Sequence, residues 1–144
     1  IINAQNSGTL GRLILGLLVN TPFPIKLIGD KSLSKRDFKR ISDPLSKFGA
    51  TFKLKKNKFL PLIINGSKNL NPINYYENKG SAQCKSAVIF GGIRANGKTI
   101  IKAKKSRDHT ELFCKYLKLP IKIQKKNTLD VIQIDQVKKI QRIK

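Results

Sequence analysis

The sequence predicts an α/β (α+β) fold in which one unit is used twice, over residues 1–66 and 67–144. Three observations point there. The order helix, strand, helix, strand, strand occurs once in each half of the chain. An offset of about 71 residues superposes Arg12 on Gln83, Asp37 on Asp108, Phe52 on Ile123 and Leu60 on Val131. Lysines alternate with apolar residues through Phe52-Lys53-Leu54-Lys55 and Ile121-Lys122-Ile123, the two-residue period of a strand with one wet face.

Each element has a local reason. Over residues 9–19, Leu10, Leu13, Ile14, Leu17 and Leu18 fall on one helical stripe, which Asn20 to Pro24 breaks. Pro24 to Gly29 reads as a strand. Phe38, Ile41, Leu45 and Phe48 form a second helical face, stopped at Gly49. Thr51 to Lys55 and Leu60 to Ile64 are strands around the turn-prone Lys56-Asn57-Lys58. In the second half, Ser81 to Ile93 is a mostly apolar helix and Thr99 to Ala103 a strand. Asp108 to Leu117 is a helix with Leu112, Phe113, Tyr116 and Leu117 predicted inward, and Asp108 and Glu111 have capping-box spacing. Ile121 to Gln124 and Val131 to Ile134 close the set as strands.

Charge is the one compositional extreme, with Lys+Arg at 30 against Asp+Glu at 8. Such a balance invites a nucleic-acid or anionic-membrane partner. The distribution argues otherwise. Only six of the bases are arginine (Arg12, Arg36, Arg40, Arg94, Arg107, Arg142), and the lysines are spread along the strands without interleaved aromatics. No helix-turn-helix or zinc-finger spacing occurs, so no nucleic acid and no membrane are expected as partners. A basic nucleic-acid-binding module stays as an alternative resting on charge alone. Cys84 and Cys114 lie in amphipathic helical stretches with no second pair, which predicts buried, reduced thiols in a cytoplasmic protein and no metal. The chain opens on Ile1-Ile2-Asn3-Ala4 without methionine, so the lack of a signal peptide carries little weight.

Residues 92–99, GIRANGKT, match the glycine-rich phosphate loop letter for letter. That loop works only between a strand and a following helix, where amides and helix N-terminus converge on phosphate. Here the predicted order is helix, then loop, then strand. Gly92 reads instead as a helix C-cap and Gly97 as a turn glycine.

The better anion sites are helix starts. Asn6-Ser7-Gly8-Thr9 precedes the first helix and Gly80-Ser81-Ala82-Gln83 the third, each offering small hydroxyl residues, free amides and the positive end of a helix dipole. Ser7 and Ser81 read equally well as plain helix caps. Ser34-Lys35-Arg36-Asp37 and Ser106-Arg107-Asp108-His109 put a hydroxyl and an arginine before a helix in matching places. An arginine fork suits a carboxylate or phosphate, and a surface ion pair is the plainer reading of Arg36 and Arg107.

Five ordered motifs, Asn6-Ser-Gly-Thr-x-x-Arg12, Gly29-Asp30-x-Ser-Leu-x-Lys-Arg36, Leu60-Pro-Leu, Ser81-Ala-Gln-x-Lys-Ser-Ala87 and Ser106-Arg-Asp-His-Thr-Glu111, span nearly the whole chain. Together they resemble the 5-enolpyruvylshikimate-3-phosphate (EPSP) synthase family. The sister UDP-N-acetylglucosamine enolpyruvyl transferases, the second alternative, lack the Ser-Ala-Gln and Ser-Arg-Asp-His pair as written here. The resemblance implies the enolpyruvyl transferase fold, with two domains of three βαβαββ units each. This chain would hold about two of the three units of the first domain, its first strand truncated or missing. It also implies a reaction in which the 5-hydroxyl of shikimate 3-phosphate displaces phosphate from phosphoenolpyruvate (PEP), without cofactor, in a protein that is a monomer at full length.

Position by position, the resemblance places Ser81, Ala82, Gln83, Ser106 and Arg107 at shikimate 3-phosphate. Gly8, Arg36 and Gln83 go to PEP, and Asn6, Thr9 and Arg12 shape the loop between. No catalytic residue is expected within this chain, because the family's proton-transferring aspartate and glutamate would lie beyond Lys144 and its Lys-Ser-x-x-x-Arg element upstream of Ile1. His109, inside the Asp108–Glu111 spacing, reads as structural. The matching glycine borders the pocket where glyphosate competes with PEP, which implies sensitivity at Gly8. Two departures stand out: Asp37 replaces a usual proline and would weaken the hold of Arg36 on PEP, and Leu10-Gly11 replaces a more usual pair before Arg12.

Overall fold

The structure, a computed structural model, describes residues 1–138, so residues 139–144 of the second predicted unit lie outside the described residues. The first half runs β1 (Ile2–Asn3), α1 (Gly8–Leu18), β2 (Ile25–Ile28), a 3-10 turn (Leu33–Lys35), α2 (Lys39–Ser46), β3 (Thr51–Lys55) and β4 (Phe59–Asn65). The second runs β5 (Asn74–Glu77), α3 (Ala82–Arg94), β6 (Thr99–Lys104), α4 (His109–Tyr116), β7 (Ile121–Lys125) and β8 (Leu129–Ile134). Two four-stranded sheets result, ordered β1-β2-β4-β3 and β5-β6-β8-β7. In each, the first pair is parallel and the other pairs are antiparallel.

Alternation along the strands turns one face of each sheet inward. Leu27 pairs with Leu62 in one sheet and Ile101 with Ile132 in the other, and all four are fully buried. The helices cover these faces, and Phe38, Ile41, Leu45 and Phe48 on and beside α2 are buried as the spacing predicts. Strands β1 and β5 have no strand-like run of their own; they form because a βα connection returns the chain parallel to β2 and β6.

The two sheets share one topology, but no constant offset relates them. Ser7 and Ser81 cap α1 and α3, and Leu27 and Ile101 hold equivalent places, all at a spacing of 74 residues. Leu62 and Ile132, like the starts of α2 and α4, stand 70 apart. The first unit therefore holds four extra residues between its second strand and second helix. The single offset of 71 falls between the two spacings, and Arg12 is not the structural equivalent of Gln83.

Both amphipathic assignments that favoured large side chains need correction. On α1 the buried face is Gly8, Gly11, Arg12, Leu15 and Gly16, whereas Leu10 and Leu17 are exposed. The reason is close helix packing: α1 lies against α3 so tightly that a β-carbon at Gly16 would overlap the Ala87 carbonyl. On α4 the buried residues are Glu111 and Cys114, while Leu112, Phe113 and Tyr116 face outward. The phosphate-loop lookalike does lie between a helix and a strand, as predicted, with Gly97 at φ +138° in the turn. Gly92 is inside α3 rather than capping it, where a β-carbon would meet Ile134 Cγ2 at 2.6 Å.

Candidate functional site

Helices α1 and α3 run side by side and start side by side. Ser7 Oγ accepts from the Leu10 amide at 3.0 Å and Ser81 Oγ from the Cys84 amide at 3.2 Å, so both serines cap their helices. Capping uses one orphan donor of each first turn and leaves the rest of the positive helix end open. Two side chains then stitch the ends together. Arg12 Nη1 donates to Gln83 Oε1 at 2.5 Å, and Gln83 Nε2 donates to Thr9 Oγ1 at 2.9 Å. Gln83 thus reaches across to α1 with both ends of its amide.

Gly8 is the floor of a cationic corner. A β-carbon there would stand 3.1 Å from Arg36 Nη1 and 3.2 Å from Arg12 Nη1. Arg12 is 6% exposed and lies over the Phe38 ring, 5.6 Å from its centroid. Burial lowers its pKa, and the positive charges of Arg40 and Arg36 lower it further. The guanidinium remains charged all the same. Arg36 is exposed, carried to this corner by the longer first connection. Asp37 does not face it: Oδ1 accepts from the amides of Lys39 and Arg40, and Oδ2 lies 3.6 Å from Lys58 Nζ. The expected interference with Arg36 is therefore not built in. Asn6 is exposed in the turn before α1.

Beside this corner a cleft of about 400 Å³ is lined by Gly80, Ser81, Ala82, Gln83, Ser106 and Arg107. A second hollow, about 200 Å³, shares Ala82, Gln83 and Arg107 and adds Thr9, Leu13, Ser86, His109 and Thr110. The predicted residues are thus brought together, with Gln83 common to the corner and the cleft. Four buried side-chain atoms, Arg12 Nε, Ser106 Oγ, Glu111 Oε2 and Asp130 Oδ1, have no hydrogen-bond partner among the described residues, and the first two belong to this region. A larger hollow, about 510 Å³, is mostly apolar and lies at the opposite ends of these helices, around Leu17, Phe90, Ile93 and Phe113. Its polar lining is Asn20, Thr21 and Arg94, with Arg94 already hydrogen-bonded to Asn20 at 3.2 Å, so the polar cleft at the helix starts is the candidate site.

Glu77 escaped the sequence reading, as did the roles of two residues inside its motifs, Lys85 and Glu111. Glu77, 3% exposed, accepts from the amides of Ser81 at 2.8 Å and Lys79 at 3.2 Å, fixing the turn in which Gly80 sits at φ +71°. Lys85 and Glu111 form a buried ion pair at 2.6 Å. Glu111 is consequently no part of a capping box, and Asp108 bonds Lys125 instead, at 2.9 Å. That contact lowers the Asp108 pKa and raises that of Lys125. A lysine inside an apolar helical stretch was the signal available for Lys85. Cys84 and Cys114 are buried and free, and burial next to Glu111 pushes the Cys114 thiol up to about 11. Among the described residues, no group of His, Cys, Asp or Glu could hold a metal, and no helix is long and apolar enough to cross a membrane.

The family profile for EPSP synthase (3-phosphoshikimate 1-carboxyvinyltransferase) matches residues 1–144. A 3-phosphoshikimate 1-carboxyvinyltransferase of Caldicellulosiruptor bescii is 48% identical over 136 residues, 93% of this chain and 31% of that protein. One from Leuconostoc mesenteroides is 50% identical over 111 residues, 76% of this chain and 26% of the relative. Among solved structures, EPSP synthase from Acinetobacter baumannii superposes with a TM-score of 0.86 at 31% identity, over 96% of this chain and 31% of that one. The chain spans about a third of the length of the relatives it matches.

Proposed function

This chain belongs to the EPSP synthase family, and from that premise we propose that it forms one wall of a cleft where shikimate 3-phosphate and PEP react. The observation that carries the reading is Gln83, held by Arg12 and Thr9 at the junction of two open helix N-termini. Ser81, Ala82, Gln83, Ser106 and Arg107 hold shikimate 3-phosphate, whose oxyanion would satisfy the unpartnered Ser106 hydroxyl. Gly8, Arg36 and Gln83 hold PEP. The bare glycine lets the ligand approach the backbone, and the arginine corner answers its charge.

In the reaction so assigned, the 5-hydroxyl of shikimate 3-phosphate gives up its proton as its oxygen bonds to C2 of PEP, and C3 takes a proton. Loss of a proton from C3 and of phosphate from C2 then restores the double bond. The residues of this chain bind and orient; they do not move the protons. Glu77, the carboxylate beside the cleft, is committed to two backbone amides. We therefore expect no product from the isolated 144 residues, since general acid–base catalysis needs a free group within hydrogen-bond reach.

Gln83→Ala in the complete protein tests the reading. Loss of charge-assisted hydrogen bonds should weaken shikimate 3-phosphate binding by roughly 1.5–3 kcal/mol per bond, read by calorimetric titration. Unchanged affinity would remove Gln83 from the site. Turnover of a nucleotide sugar in place of shikimate 3-phosphate would instead assign the complete protein to the sister transferases.

A further inference from the structure

The ion pair between Lys85 and Glu111 is almost sealed from solvent, with side chains 1% and 2% exposed. Lys85 Nζ also donates to the Arg107 carbonyl at 3.0 Å. Stability does not explain such a pair, because desolvating two charges commonly cancels the attraction and apolar replacements are often as stable. The fold supplies its own control. At the matching spacings the first unit has Gly11 where the second has Lys85, and Ile41 where it has Glu111. There the space is filled by Phe38, whose ring would lie 3.3 Å from a β-carbon at Gly11. One copy of the unit is thus built without the pair. What the pair adds in the other copy is a tie between the first turns of α3 and α4 and the short loop carrying Ser106 and Arg107.

We propose that Lys85 and Glu111 are positioning residues that set the 106–107 loop over the Ser81–Gln83 turn, and so the width of the cleft between them. The chain of contact is direct: Glu111 Oε1 to Lys85 Nζ, Lys85 Nζ to the Arg107 carbonyl, and Arg107 and Ser106 onto the cleft. Neither side chain reaches the ligand. The proposal rests on the assignment of this cleft to shikimate 3-phosphate.

The test uses the complete protein with Lys85→Met, and with Lys85→Met combined with Glu111→Leu. The single variant should melt earlier and raise KM for shikimate 3-phosphate about tenfold while KM for PEP moves less than about threefold. The double variant should regain the melting temperature, because no buried charge is left unpaired. It should keep the raised KM and exchange its 106–108 amides faster than the unsubstituted protein. Recovery of KM together with melting temperature, or wild-type amide protection at 106–108, would overturn the proposal and leave a purely structural pair. Should the double variant fail to fold, Glu111→Gln keeps the shape, and its KM for shikimate 3-phosphate and its 106–108 amide exchange are read the same way, without a recovered melting temperature. Failure of the unsubstituted protein to bind shikimate 3-phosphate would sink the assignment of the cleft, and amide exchange would still decide whether the pair holds the loop.

Discussion

Between β2 and α2 the chain spends residues 29–38; between β6 and α4 it spends only residues 105–108. The longer connection is held by its own parts. Asp30 Oδ1 accepts from the Leu33 amide at 2.7 Å, Ser34 donates to the Gly29 carbonyl at 3.2 Å, and Leu33 and Phe38 plug the core beneath. The shorter connection cannot fold back on itself and is tied down from α3 by a buried charge. Both deliver an arginine to the same end of the molecule. A duplicated unit can therefore keep its topology while changing the force that holds its binding loop, from apolar packing to electrostatics.

Removing the plug should break the comparison most severely. Phe38→Ala empties a fully buried ring site beneath Arg12 and Gly11. It is expected to destabilise the protein by roughly 3–5 kcal/mol in urea titration. A loss under about 1 kcal/mol would show that the first connection does not depend on apolar packing.

Gly8→Ala sharpens the contrast at the ligand. The new β-carbon would press on the ends of Arg36 and Arg12, flexible groups that can give by a few tenths of an ångström. Folding should be little affected. The inhibition constant of glyphosate should rise more than KM for PEP, because the longer inhibitor meets the methyl group first. An unchanged ratio of the two constants, measured in steady state, would mean that Gly8 serves only the entry into α1.

The smallest effect concerns the exposed pair of the first unit. Lys39 and Asp43 lie 2.6 Å apart with side chains 53% and 57% exposed. Asp43→Asn should cost less than about 0.5 kcal/mol. Melting curves that shift as far as those of Lys85→Met would refute the division between surface and buried charge on which the comparison stands.

Strand alternation and the face of α2 were legible in the sequence because each buries large apolar residues at a fixed period. The buried faces of α1 and α4 were not. Gly11 and Gly16 are inside because backbone meets backbone, and a search for large side chains passes over them. Glu111 and Lys85 are inside as an ion pair through Glu111 Oε1, a pairing across 26 residues with no local signature. The candidate binding residues came from five motifs and a family likeness rather than from periodicity. The drift in offset was hidden because one spacing cannot describe an inserted turn.

The glycine contact between α1 and α3 has a mechanical consequence. With no side chain between Gly16 and Ala87, the two helices act as the blades of scissors whose pivot lies about 12 Å from Gly8. A wedge at the pivot, such as Gly16→Val, would splay the tips and pull Arg12 from Gln83 without touching a ligand. Variants with altered ligand response would then arise along this seam as well as at the tips, and the two halves of the duplication would be free to diverge everywhere except where they cross.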